Sequence, residues 1–128
     1  MGKYGEAAEF AAQLLAKQST MLPTTAWELA VTRVFPKSKS SRAKGCPRDS
    51  FLALCQTGVV KNVAPGTYTR SIKNKGYVER ALDALRSNPA LDERGLWQIV
   101  TDGADKVPNR QMDVVTTLFR NGFIRPVT

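Results

Sequence analysis

The densest chemistry in the chain lies in the run SSRAKGCPRD, residues 40–49, which sets two hydroxyls and three cations around a proline. Proline suits the first turn of a helix, where its missing N–H would have no intrahelical partner. A helix beginning near Pro47 points its free N–H groups and the positive end of its dipole at a loop bearing Ser40, Ser41, Arg42 and Lys44, with Arg48 beside them. That is a phosphate-sized anion site, since hydroxyls, amides and guanidinium groups are what phosphate oxygens accept from. The spacing is not the GxxxxGK[ST] of a nucleotide-binding loop, so an ATPase or GTPase reading has little support. The plainer alternative is a solvated loop before an ordinary helix start.

The same run sits inside a local excess of charge. Between Arg33 and Lys75 there are ten basic residues, Arg33, Lys37, Lys39, Arg42, Lys44, Arg48, Lys61, Arg70, Lys73 and Lys75, against Asp49 alone. The whole chain carries a formal +8 over 128 residues, so everything outside that window is close to neutral. Clustered cations of this kind are the footprint of a polyanion-binding surface, most often for nucleic acid. A basic loop that only keeps the protein soluble is the competing account. In TYTRSIKNKGY, cations alternate with Tyr68 and Tyr77, a pattern that holds single strands by phosphate contact and stacking. Tyr77 falls on an apolar helical face and reads as core, which leaves Tyr68 as the stacking candidate.

Composition closes other routes. Without histidine there is no Ser-His-Asp or Cys-His pair and no histidine metal ligand. Two cysteines cannot close a four-ligand zinc site, and a metal nuclease needs converging carboxylates where the basic window offers only Asp49. Cys46, at a helix start between cations, has the surroundings of an activated thiol but no base. A bridge to Cys55 would have to span nine helical residues, about 13 Å, too far for a disulfide. The chain therefore calls for no catalytic residue, metal or cofactor. No stretch is long and apolar enough to span a membrane, and the charged start MGKYGEAAEF has no signal-peptide core behind it, so a soluble cytoplasmic protein is expected.

The elements that must position these residues read as helices. Tyr4, Ala7, Ala8, Ala11, Leu14 and Leu15 form one stripe on a helix over about 3–18. A second follows Pro23, with Thr25 and Glu28 at capping-box spacing and Trp27, Ala30, Val31 and Val34 as its buried face. Residues 37–45 have no large apolar side chain and read as a loop. The helix from Pro47 buries Phe51, Leu52, Leu54 and Cys55 and stops at Gly58. Residues 59–69 favour extended backbone around Pro65-Gly66, a type II turn pair, and predict a short hairpin or an ordered loop. Ser71 or Thr69 caps a fourth helix with Tyr77, Val78, Ala81, Leu82 and Leu85. Asp92 caps a fifth, carrying Leu96, Trp97, Ile99 and Val100 to Gly103. Asn109 caps a sixth, carrying Met112, Val115, Leu118 and Phe119 to Gly122, after which Phe123 and Ile124 fold back. The expectation for 1–128 is a single all-α domain, a compact bundle of about six helices. Two helices followed by a Pro-Gly hairpin also match the element order of a winged helix, but a connection of about ten residues is long for that motif. Gln56 and Arg48 are its only base-reading groups.

The run FPKSKSSRAKGCPRDSFLALCQTGVVKNVAPGTYTRSIKNKGY, with GKYGEAA, TAWELA and NRQMDVVTTLFRNGFI, resembles a family of small bacterial proteins grouped as a domain of unknown function. That resemblance implies a compact stand-alone protein and transfers no catalytic residue. The resulting expectation is a non-enzymatic protein that grips nucleic acid, DNA or RNA, through Lys37, Lys39, Ser40, Ser41, Arg42, Lys44, Arg48, Lys61, Tyr68, Arg70, Lys73 and Lys75. The alternative is an adaptor or inhibitor that docks the same face on an acidic protein.

Overall fold

A computed structural model describes residues 2–126. Every expected helix forms: α1 (Lys3–Lys17), α2 (Pro23–Val34), α4 (Gly45–Gln56), α5 (Ile72–Ser87), α6 (Glu93–Val100) and α7 (Gln111–Arg120). A further short helix, α3 (Lys39–Arg42), lies within the predicted loop. It exists because Ser38 caps it, its hydroxyl accepting from the Ser41 amide at 3.2 Å, and it buries nothing.

The helix α7 is the pole around which the others stand. It packs against α1, α4, α5 and α6, and all of Gln111 to Leu118 is buried. A helix buried on every side must satisfy its polar groups internally. Gln111 accepts from the Asn109 amide at 2.7 Å and donates to Asn74 Oδ1, while Thr116 donates to the Met112 carbonyl at 2.8 Å. The Asp113 carboxylate accepts the Gly2 amide at 3.0 Å and the Gly5 amide at 2.7 Å, so it caps the start of α1 from the far end of the sequence. The approach needs glycine: a Cβ on Gly5 would lie 2.6 Å from Asp113 Oδ1 and would also collide with Thr117.

On the other side, Trp27 of α2 stacks on Phe51 of α4 with ring centroids 5.3 Å apart, joining the α1–α2 pair to the rest. The Trp27 indole N–H is buried without a partner, so this contact works by packing alone. The glycines predicted as helix stops, Gly58, Gly103 and Gly122, all take the left-handed backbone that favours glycine, with φ of 81°, 72° and 82°. Ser71 caps α5 and Asp92 caps α6, as their positions suggested.

Several local expectations are corrected. The Thr25–Glu28 capping box does not form, because Pro23 starts α2 and Leu22 holds the cap position, which places Thr25 inside the first turn. Asn109 does not cap α7. Its amide is taken by the Gln111 side chain, and Arg110 is the cap residue in a left-handed conformation, φ 67°. The helix after the basic loop starts at Gly45 rather than Pro47. Of the two forms expected for residues 59–69, the ordered loop is the one present, and its one ladder contact is an isolated antiparallel bridge between Val60 and Ile124. Gly66 is not in positive-φ backbone, so no type II turn forms there; the Tyr68 ring lies over it, leaving no room for a Cβ. Ile99 is half-exposed, the buried face of α6 being Leu96, Trp97 and Val100.

The Asp113 cap gives a direct test. Asp113→Ala should lower unfolding free energy by about 2–3 kcal/mol in urea melts, because it leaves two amides without their charged acceptor. Gly5→Ala should also destabilise. The double variant should lose less than the sum of the two, since both changes damage one contact.

Candidate functional site

The starts of three helices meet pairwise. The second turn of α4 reaches the cap of α5 through Asp49, whose carboxylate accepts from Thr69 Oγ1 at 3.0 Å, and Thr69 in turn accepts from the amide of the cap residue Ser71. The α5 and α7 starts meet where Gln111 donates to Asn74, both side chains buried. Lys44, at the cap position of α4, lines one cleft with Asn109 and Arg110 at the start of α7. Helix N-termini carry partial positive charge, so their convergence adds to the positive potential at this end of the molecule.

Cations rim it. Arg48 and Arg70 line an open cleft of about 500 Å³ together with Asp49, Tyr68 and Ser71. Asp49 is already engaged there, paired with Arg48 at 3.3 Å and hydrogen-bonded to Thr69, in the one ion pair among the described residues. The loop wall of the cleft is fixed by Gln56, whose Oε1 accepts from the amides of both Tyr68 and Thr69, at 2.8 and 3.0 Å. Gln56 is therefore a loop anchor. Lys73 follows one turn after Arg70 and stands 5.8 Å from the Tyr77 ring centroid, with Lys106 6.0 Å away and donating from Nζ to the Tyr77 hydroxyl. Tyr77 itself is core, packed edge-on to Trp97 at 5.1 Å.

The other sequence-selected residues are placed elsewhere. Arg42 is half-buried and donates to the Phe35 carbonyl at 2.7 Å, which holds α3 to the end of α2. The Ser41 hydroxyl accepts from Ser38, and the Ser41 carbonyl accepts from Tyr4 of α1 at 2.9 Å, so the serine run organises its own turn. Lys37 and Lys39 are exposed on that same shoulder, with Ser40 between them and Ser41. Lys61 is exposed beside the Val60–Ile124 bridge, and Lys75 is half-buried on α5. Tyr68 turns its hydroxyl onto the Ala64 carbonyl at 2.8 Å and presents its ring to the cleft from over Gly66. Among the described residues, no group of three or more His, Cys, Asp or Glu side chains is arranged to hold a metal ion. Burial pushes the Cys55 thiol far above its ordinary range, which keeps it protonated and inert.

Three cations at this end were invisible in the charge count: Arg94, Lys106 and Arg110. They belong to a stretch, 92–113, in which acids outnumber bases, so no local excess marks them. Only the fold turns Arg94 and Arg110 toward Lys44.

A helical domain with a cation-rimmed end built from three helix starts is what fold and site define. The chain belongs to a family of unknown function (DUF6979), whose model matches residues 1–125. No curated protein and no solved structure matches it. No helix among the described residues is long and apolar enough to cross a membrane.

Glu93 is the acid at the edge of this end. Burial raises its carboxyl above the ordinary 4.5, the Asp113 carboxylate adds to the rise, and Arg110 and Arg120 oppose it. A raised folded-state value means the native protein holds this proton more tightly than the unfolded chain. Stability should therefore fall as pH rises through the window just above 4.5. In Glu93→Gln that part of the slope should be absent, as thermal melts across pH 4 to 7 would read.

Proposed function

We propose that the protein is a non-enzymatic nucleic-acid-binding domain that holds a phosphate backbone at the basic end described above. The observation that carries this reading is the Arg48–Arg70 cleft. Two arginines from separate segments face one open, polar hollow, and the single carboxylate within it is already held by Arg48 and Thr69. A phosphodiester entering there meets guanidinium groups that can bind it in bidentate fashion, beside the Ser71 cap of α5. Lys73 extends the track along α5. Lys44 extends it toward α7, while Lys37, Lys39, Arg42, Lys61 and Lys75 add longer-range attraction.

The contacts are to backbone rather than to bases. Gln56, an amide side chain suited to base reading, has its Oε1 taken by the two loop amides it anchors. Binding should thus be strong in its salt dependence and weak in its sequence preference. In anisotropy titrations with a short labelled DNA or RNA, affinity should drop steeply between low and moderate salt. Replacing Arg48 and Arg70 together with glutamine should flatten the log–log slope by about 1.4–1.8, at about 0.7–0.9 for each lost phosphate contact. Circular dichroism would confirm that the variant remains helical. No binding at low salt, or co-purification with an acidic protein in place of nucleic acid, would overturn the reading.

A further inference from the structure

The largest cleft of the basic end is not the one between Arg48 and Arg70. It lies between α6 and the segment that leads into α7, with a volume of about 760 Å³, within the range of small-molecule sites. Its lining is divided in character. Trp97, Val107, Pro108 and Met112 make an apolar wall, and Lys44, Arg94 and Arg110 bring three cations from three different helices or their starts.

The wall is fixed in place. The Trp97 indole N–H donates to the Lys106 carbonyl at 2.7 Å, which pins the 104–110 segment against α6, and Tyr77 buttresses the ring from behind. Val107 is nonetheless 80 % exposed, an apolar side chain at the mouth of the cleft with nothing covering it. The cations of the cleft outnumber its acids three to one, Glu93 being the carboxylate among the lining residues. Among the described residues none of Lys44, Arg94 and Arg110 forms an ion pair, although Glu93 shares the cleft. Three cations facing one carboxylate leave the cleft with a net positive charge, which an anionic ligand would offset. Asn109 and Gln98 complete the lining with amide groups that both donate and accept.

A ligand matching this surface has an anionic group at one end, a flat apolar ring at the other, and a hydrogen-bonding edge on the ring. We propose that the cleft binds a nucleoside monophosphate, its phosphate on Lys44, Arg94 and Arg110 and its base against Val107, Pro108 and the edge of Trp97. The same chemistry is presented by a free mononucleotide and by the 5′-phosphorylated end of a strand. The site shares Lys44 with the strand-binding track but uses neither Arg48 nor Arg70.

The test is calorimetric titration of the full chain with AMP, GMP, CMP and UMP, with adenosine and inorganic phosphate as the two half-ligands. At least one mononucleotide should bind saturably, and each half-ligand at least tenfold more weakly. The double variant Arg94→Gln, Arg110→Gly should lose tenfold or more in affinity. Glycine is chosen at 110 because the backbone there, φ 67°, favours it, so the charge is removed without adding strain. The Arg48→Gln, Arg70→Gln variant should bind mononucleotides as the parent does, which separates this site from the backbone track. Competition by a 5′-phosphorylated oligonucleotide but not by its 5′-hydroxyl twin assigns the site to strand ends, and competition by neither assigns it to free nucleotides. No saturable mononucleotide binding at millimolar concentration would overturn the proposal. So would phosphate alone binding equally well, or an unchanged affinity in the Arg94, Arg110 variant.

Discussion

One carboxylate holds the two ends of this fold together. Asp113 sits inside a helix that has no solvent-facing side over its first two turns, and its charge is tolerable there only because the free amides at the start of α1 face it. Each partner solves the other's problem: a buried anion requires donors, and a helix start requires an acceptor. With α7 fixed to α1 on one flank, its other flanks are free to receive α4, α5 and α6. The cation-rimmed end follows from that arrangement, because α7 sets where Arg110 and Gln111 stand relative to the starts of α4 and α5.

The basic end has two compartments of different character. The Arg48–Arg70 cleft is shallow and polar, with its loop wall pinned by Gln56, and suits an extended phosphate chain. The α6–α7 cleft is larger and half apolar, and suits a ring. Lys73 and Lys106 both approach the Tyr77 ring, which packs on the Trp97 wall of the larger cleft.

Much of the scaffold was legible in the sequence because its determinants are local. Apolar spacing gave all six longer helices, Ser71 and Asp92 lie where caps must lie, and Gly58, Gly103 and Gly122 mark stops by the one backbone conformation that other residues avoid. What failed was local chemistry overruled by a stronger neighbour. Thr25 has capping-box spacing but Pro23 starts the helix first, and Asn109 is displaced because the buried Gln111 side chain needs its amide. Of the site, the residue types at 48, 68 and 70 were readable, but not that Asp49 and Gln56 would bring those segments together. The α6–α7 cleft was unreadable for another reason. Its cations are scattered among acids along the chain and are sorted from them only in three dimensions.

The pairing of Gly2 and Gly5 with Asp113 also bears on how the chain acquires its fold. These contacts close over 111 and 108 residues, nearly the full length of the domain. The helix α1 is thus synthesised well before the residue that caps it, and until that residue arrives α1 presents its alanine face of Ala7, Ala8, Ala11 and Ala12 without its α7 partner. Contacts of such long sequence separation are closed late and at high entropic cost. During synthesis α1 and α2 can pair with each other, but the domain as a whole becomes cooperative only once residue 113 is free to turn back onto the beginning.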